Sequence, residues 1–329
     1  MVCGQSRAMD WAHRLVEEKM EKTLWRNKRI LVTGGAGFVG SHVVERLLRT
    51  RGVCEQDIVI PRSQQHDLRR LEQCLEVMEG AQIVLHLAAD VGGMGYSRSH
   101  PASQYYNSLL MDLQVMEAAR RIGVEKLIAV GSSTAYPATA PSLLQEDDMF
   151  TGLPYEAHLG YGYAKRALLV QAQVFHRQYG LEVAIVVANN AYGPRDNFDR
   201  VTSHVIPATI RKCLEDSELL VWGDGSAIRD FMYVEDLAEG VLLAAERLVA
   251  PHYLNLASGE EVSIKQLIDL IVELTGFPGK VAFDPTKPGG EQRRVVSIEK
   301  ARQEIGFAPH WSLRDGLART LSWYQNSGR

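Results

Sequence analysis

The sequence predicts an α/β fold, a doubly wound parallel sheet with a smaller C-terminal lobe. Three observations carry this. Five short, nearly continuous apolar runs, RILVTGG, DIVI, IVLHLAA, KLIAVGS and EVAIVVAN, follow one another from Arg29 to Asn189; strands buried on both faces of a parallel sheet read this way. Amphipathic stretches separate them, with helices expected over Ser41–Thr50, Leu68–Glu79, Gln104–Ile122 and Tyr161–Tyr179; strand alternating with helix means right-handed βαβ units. After Asn190 the rhythm breaks into loops rich in Gly, Pro and charge (AYGPRDNFDR, WGDGSAIRD, DPTKPGGEQRR), mixed with helices at Ile264–Thr275 and Leu313–Tyr324.

In chain order, residues 1–27 read as a polar N-terminal extension, with a helix over Met9–Lys22 whose thin apolar stripe is Trp11, Leu15 and Met20. Residues 28–190 form the main domain. A strand–helix unit, Arg229–Leu248, and a strand, Tyr253–Leu256, are expected to return to its sheet, so that 229–257 rejoins it. Residues 191–228 and 258–329 form the smaller lobe, and a ligand belongs in the cleft between that lobe and the sheet's carboxyl ends.

The 329 residues carry 36 Lys and Arg against 40 Asp and Glu, a net charge of −4 spread in both signs. That excludes nucleic acid as a main partner, since phosphate binding needs a concentrated basic field. A 46% hydrophobic, 23% charged composition excludes wholesale disorder. No apolar run approaches the ~18 residues of a membrane helix, and the charged N-terminus lacks a signal peptide's apolar core. Cys3, Cys54, Cys74 and Cys213 are scattered, with no CxxC and no metal-ligand spacing. Free thiols, no metal and a cytoplasmic protein are the simplest reading.

Gly34-Gly35-Ala36-Gly37-Phe38-Val39-Gly40 follows the first strand and opens the first helix. In that context GxxGxxG is a phosphate cradle: Gly34 and Gly37 permit a tight turn and close backbone approach, and Gly40 lets helix and strand pack. Phe38 and Val39 contribute to the open helix start, where the macrodipole favours a dinucleotide's pyrophosphate. After the second strand, Pro61-Arg62-Ser63 carries no acid until Asp67. An acid there would bind the adenosine ribose of NAD; Arg62 suits a 2′-phosphate instead, so NADP is expected, with NAD as the other candidate. Arg62 also reads as a solvated loop residue. Asp67 and Leu68 are placed near the adenine, and Leu87, Ala88 and Ala89 along the pyrophosphate and ribose path. His86, inside a strand, reads as a hydrogen-bonded core residue.

Tyr161-Gly162-Tyr163-Ala164-Lys165 puts Tyr161 and Lys165 on one helical face. A tyrosine with an ordinary pKa of about 10 needs help to act near neutrality. The Lys165 ammonium and an oxidised nicotinamide would stabilise its phenolate. Lys165 also suits the nicotinamide ribose, and Ser132, at the end of the fourth strand, suits a reacting carbonyl.

With these pieces the chain resembles the extended short-chain dehydrogenase/reductase family over residues 28–325, on TGGAGFVG, HLAA, the Ser132 segment, YGYAK and RDFMYVEDLAEG. The resemblance implies a Rossmann fold with a substrate-binding lobe. It implies Tyr161 as the acid that protonates a sugar carbonyl, Lys165 as its partner and Ser132 as the polariser, with direct hydride transfer. It also implies a C₂ homodimer through the helices Gln104–Ile122 and Tyr161–Tyr179. Within the family, AADVGGM, SSTAYP, NNAYGPRDNFDRVTSHVIPATIRK and WGDGSAIRDF are similar to the GDP-fucose synthase branch. That branch epimerises C3 and C5 of a GDP-linked 4-keto-6-deoxy sugar and reduces C4 with NADPH.

By this resemblance His204 is an acid/base residue or a substrate hydrogen-bonder, and Ser133, Thr134, Asn190, Lys212, Trp222, Arg229 and Arg294 face the nucleotide sugar. Arg and Lys suit a diphosphate, and an indole offers a base a stacking face. Core packing for Trp222 and an interlobe salt bridge for Arg229 are the plainer readings. Thr134 stands where the branch carries a cysteine acid/base, and a threonine hydroxyl does not titrate near neutrality. C4 reduction, with at most partial epimerisation, is therefore expected. An NAD-dependent NDP-hexose 4-epimerase is the alternative, and a non-catalytic cofactor sensor is disfavoured by the retained Ser132, Tyr161 and Lys165. An NDP-sugar 4,6-dehydratase is disfavoured as well, because that group carries an Asp-Glu pair where this chain has Ser133 and Thr134.

Overall fold

A computed structural model describes residues 24–139, 143–287 and 289–327. The expected helix over Met9–Lys22 lies outside the described residues. The five apolar runs form strands β1 (Ile30–Thr33), β2 (Ile58–Val59), β3 (Ile83–His86), β4 (Lys126–Ser132) and β5 (Val183–Ala188). They are followed by β6 (Ala191–Tyr192), β7 (Glu218–Trp222), β8 (Ile228–Arg229), β9 (Met232–Tyr233), β10 (Tyr253–Leu256), β11 (Val262–Ser263), β12 (Lys280–Asp284) and β13 (Arg293–Arg294). The helices are α1 (Phe38–Thr50), α2 (Leu71–Met78), α3 (Met94–Ser99), α4 (Pro101–Ile122), α5 (Leu159–Tyr179), α6 (Val205–Glu215), α7 (Val234–Arg247), α8 (Ile264–Thr275), α9 (Glu299–Ile305) and α10 (Leu313–Asn326).

The central sheet has six strands in the order β10-β5-β4-β3-β1-β2, all parallel. Alternation along β1 divides the core: Leu31 faces a layer built on Val77, Met116 and Leu168 of α2, α4 and α5. Ile30 and Val32 face the opposite layer, with Val43, Leu47, Leu237 and Ile305 of α1, α7 and α9. The sheet is doubly wound, as its sequence pattern requires. The chain runs from β1 out to β2 and returns to β3 on the other side of β1, so the strand order reverses between β1 and β3, where such sheets leave a crevice.

A third core, built on Tyr192, Ile210, Leu219, Ile268 and Leu321, underlies the smaller lobe. Two boundaries differ from expectation. The Arg229 strand does not enter the sheet: β8 pairs with β11 and β13, whereas β10 joins the sheet and α7 and Met232 pack on it. Buried Asp230 explains this, since its carboxylate accepts from the Ser258 and Gly259 backbone N–H groups at 2.9 and 2.8 Å and ties the segment to a turn. Val295 to Phe307, expected in the lobe, buries Val296 and Ile298 in one sheet layer and Ala301, Ile305 and Phe307 in the other. Among the described residues no helix is long and apolar enough to cross a membrane. None of their His, Cys, Asp and Glu side chains cluster as a metal site would require.

Candidate active site

The glycine turn is built as the spacing implies. Gly34 has φ +68°, and a Cβ on it would lie 2.8 Å from the Ala88 backbone nitrogen, so only glycine lets the end of β1 lie against the end of β3. A Cβ on Gly40 would collide with the Gly34 carbonyl. The start of α1 is left open: Gly37 caps it without a side-chain hydrogen bond, and its first turn holds no acidic residue. The end therefore keeps free N–H groups and its positive dipole for an anion. Phe38, Val39, Leu87 and Ala89 carry this surface into a cleft of about 580 Å³.

Ser132, the last residue of β4, accepts from the Thr134 backbone N–H at 3.3 Å and from the Thr134 hydroxyl at 2.9 Å. Its own O–H is thus free to donate into the cleft. Tyr161 lines the same cleft from the first turn of α5. Burial holds its phenol above the ordinary value, and Lys165 pulls it back down. Lys165 lies one turn on, its ammonium 5.9 Å from the Tyr161 ring centre, and is itself buried.

Lys165 does not open into the cleft. Its ammonium donates to both oxygens of Asp112, at 3.3 and 3.2 Å. Burial works to lower the Lys165 pKa; Asp112 and Tyr161 together outweigh it, and the group stands above its ordinary value. Asp112 Oδ1 lies 3.0 Å from His86 Nε2, and His86 Nδ1 lies 2.7 Å from the Thr33 hydroxyl. The Thr33 oxygen also accepts from the Leu87 and Ala88 N–H groups. Every member finds a partner if Thr33 donates to Nδ1 and Nε2–H donates to Asp112. His86 is therefore a hydrogen-bonded core residue at the β1–β3 junction. Asp112, on α4, was not singled out in the sequence: 53 residues separate it from Lys165, and no local spacing links them.

His204 precedes α6 without capping it through its side chain. Surrounding protein holds its imidazole below the ordinary value, against the Gly92 backbone, which raises it. The Gly93 N–H donates to the Thr202 carbonyl at 3.0 Å, joining the loop after β3 to the segment before His204. Lys212, Trp222, Arg229 and Arg294 reach the same cleft. Trp222 is 49% exposed, which removes plain core packing. Arg229 forms no interlobe bridge among the described residues; its guanidinium donates to its neighbour's carbonyl, Ile228 O, at 2.7 Å.

Other expected residues sit differently. Arg294 donates to Glu291 and to the Ser133 carbonyl, so its guanidinium is already engaged. The Ser133 hydroxyl donates to Asn189 Oδ1 at 2.7 Å, and Asn190 Nδ2 donates to Asn189 Oδ1 and the Asp230 carbonyl. Both line the cleft but spend these groups on holding its floor. Leu68 is buried in the core rather than turned to a ligand. The Asp67 carboxylate is taken by Arg69 at 2.8 Å and pushed down to about 2 by that bond. Arg62 is exposed in the turn after β2. His158 and Tyr155, not named from the sequence, also line the cleft. Helical spacing back from Tyr161 would have marked His158.

With this geometry in hand, the profile of the NAD dependent epimerase/dehydratase family matches residues 30–257. The chain is 35% identical over 308 residues to the GDP-L-fucose synthase of Sinorhizobium fredii (strain NBRC 101917 / NGR234), covering 92% of this chain and 96% of that protein. It is 34% identical to GDP-L-fucose synthase 1 of Arabidopsis thaliana, over 91% and 94% of the two chains. The crystal structure of a GDP-L-fucose synthetase from Naegleria fowleri bound to NADP superposes with a TM-score of 0.82 at 25% identity, over 92% and 95%. The extent of these matches, together with the glycine turn and the Tyr161–Lys165 helix, shows that the chain belongs to the NAD dependent epimerase/dehydratase family.

Proposed function

We propose that the chain is an NADPH-dependent reductase acting at C4 of a GDP-linked 4-keto-6-deoxy sugar. The observation that carries the reading is one continuous cleft, lined by the start of α1, Ser132, Tyr161 and His204, and by Lys212, Trp222 and Arg229. The relatives named GDP-L-fucose synthase support the GDP-linked substrate, and the NADP in the Naegleria fowleri structure supports the cofactor. Those names do not favour the 4-epimerase alternative.

In this reading the sheet domain holds the cofactor. Its pyrophosphate rests on the open start of α1, and its 2′-phosphate on Arg62. When bound, the nicotinamide supplies the hydride for the ketone carbon. Ser132 donates a hydrogen bond to the ketone oxygen, and Tyr161 gives that oxygen its proton as the alkoxide develops. Lys165, kept charged by Asp112, stabilises the phenolate left behind. From the smaller lobe Arg229 and Lys212 take the diphosphate, and Trp222 stacks on the base. The exposed Tyr105, Tyr106, Leu113, Tyr163 and Val170 of α4 and α5 are the proposed surface of a C₂ homodimer.

The test is NADPH oxidation by the purified protein with GDP-4-keto-6-deoxy-mannose. Turnover with NADPH in preference to NADH supports the reading. Absence of oxidation with this GDP-linked sugar would refute it.

A further inference from the structure

Beside a 4-keto sugar the carbons next to the ketone are acidic, and inverting either needs a base and an acid that both reach it. Thr134 supplies neither, because its hydroxyl does not titrate near neutrality and is spent on Ser132. The cleft nevertheless holds two imidazoles. His204 reaches it from the start of α6, and His158 from the residue that opens α5. We propose that His158 is a second acid/base residue, working with His204 to invert a carbon adjacent to the ketone; this rests on the reductase reading above.

Three features place His158 for that task. It lies three residues before Tyr161, so the helix start that presents the phenol presents the imidazole on a neighbouring part of the same face. The first turn of α5 is seated against the Thr134 segment: a Cβ on Gly162 would lie 2.7 Å from the Thr134 carbonyl oxygen. His158, four residues before Gly162, lines the same cleft as Thr134, where the sequence lacks a thiol. The leading charges acting on its ring are Arg294, His204, Arg229 and Arg98, all cationic or able to become so. Burial first, and these charges second, push its pKa down to about 4, so it enters the reaction as a neutral base. A bound diphosphate brings negative charge to the same cationic group and favours one proton shared by the two histidines.

The proton balance closes without another reactant. Neutral His158 takes the proton from the carbon. The C–H electron pair becomes the C=C bond of an enolate, whose oxygen accepts hydrogen bonds from Ser132 and Tyr161. His204, which burial alone would leave neutral and which the negative diphosphate helps to protonate in the complex, returns a proton to the other face. The charge has moved from one ring to the other, and exchange with solvent restores the starting state.

The experiment follows deuterium entering the sugar carbons in D₂O, with GDP-4-keto-6-deoxy-mannose and NADPH, in the wild type and in His158→Gln and His158→Asn. The wild type is expected to label a carbon next to C4. Both variants should lose labelling by about 10²-fold or more, while still oxidising NADPH and releasing sugar reduced without inversion. NADPH affinity, measured alongside, should be unchanged and reports a folded site. Labelling at the wild-type rate in either variant overturns the proposal, as does a wild type that reduces C4 without labelling; neither outcome touches the reductase reading. A wild type that oxidises no NADPH with this sugar refutes the reductase reading itself.

Discussion

Replacing Asp112 with asparagine tests the buried support of the Tyr161–Lys165 pair. Asp112 is 1% exposed and Lys165 2%, so neither charge has solvent to fall back on. In the wild type Asp112 Oδ1 faces both His86 and Lys165, and Oδ2 accepts from Lys165 alone. The amide keeps one acceptor, but its NH₂ then opposes a Lys165 ammonium that lay 3.2 Å from the oxygen it replaces. Flipping the amide gives Lys165 one acceptor but sets the NH₂ against His86 Nε2–H, and still against the ammonium, 3.3 Å from Oδ1 in the wild type. Breaking a buried pair from one side costs about 3–5 kcal/mol. With an unfolding entropy of about 2.1 cal/mol/K per residue, that lowers Tm by about 4–7 °C in a chain of this length.

The sign with pH follows from Lys165, whose native pKa is raised. Its stabilisation is fully present below the ordinary lysine value of about 10.5 and is lost as pH rises through the higher native one. Turnover should fall as well, by about 10²-fold, because Lys165 without Asp112 sheds its proton and Tyr161 becomes a poorer acid. Thermal unfolding at pH 7 and pH 11, with NADPH oxidation at pH 7, reads both effects. An unchanged Tm at pH 7 together with unchanged turnover would refute the reasoning.

Tyr161→Phe should lower kcat by about 10²–10⁴-fold and leave NADPH binding intact, since only the transferred proton is removed; wild-type turnover would exclude Tyr161 as the acid. Arg62→Ala should weaken NADPH by about 10-fold or more through the loss of a charge-assisted bond, and spare NADH; equal loss of both in a binding titration would end the 2′-phosphate role. Asp196 is buried, with Oδ2 unpartnered, and burial pushes its pKa up to about 7. The native state therefore holds its proton longer than the unfolded chain, and this group makes stability fall as pH rises from about 4 to about 7, by roughly 4 kcal/mol. Asp196→Asn should flatten that part of the stability–pH curve, and an unaltered slope by denaturant titration would contradict the burial argument.

Local patterns made much of this molecule legible. The five apolar runs read as strands buried on two faces and became β1 to β5, with β2, at the sheet edge, only half-buried. Ile264–Thr275 ends where a helix should, at Gly276 with φ +64°. The glycine turn was readable because its chemistry is local: Gly34 and Gly40 are demanded by backbone atoms a few residues away or in the adjoining strand. Tyr161 and Lys165 were readable because one helix turn places them together. Tertiary structure decided what depends on partners distant in the chain. It gave the Lys165 charge to Asp112, engaged Arg294 with the Ser133 carbonyl, turned Leu68 into the core, and opened Trp222 to the cleft. It also brought His158 and His204 to one cavity from 46 positions apart. A spacing rule reaches only as far as the element that carries it, whereas burial and charge pairing act between whichever side chains packing brings together.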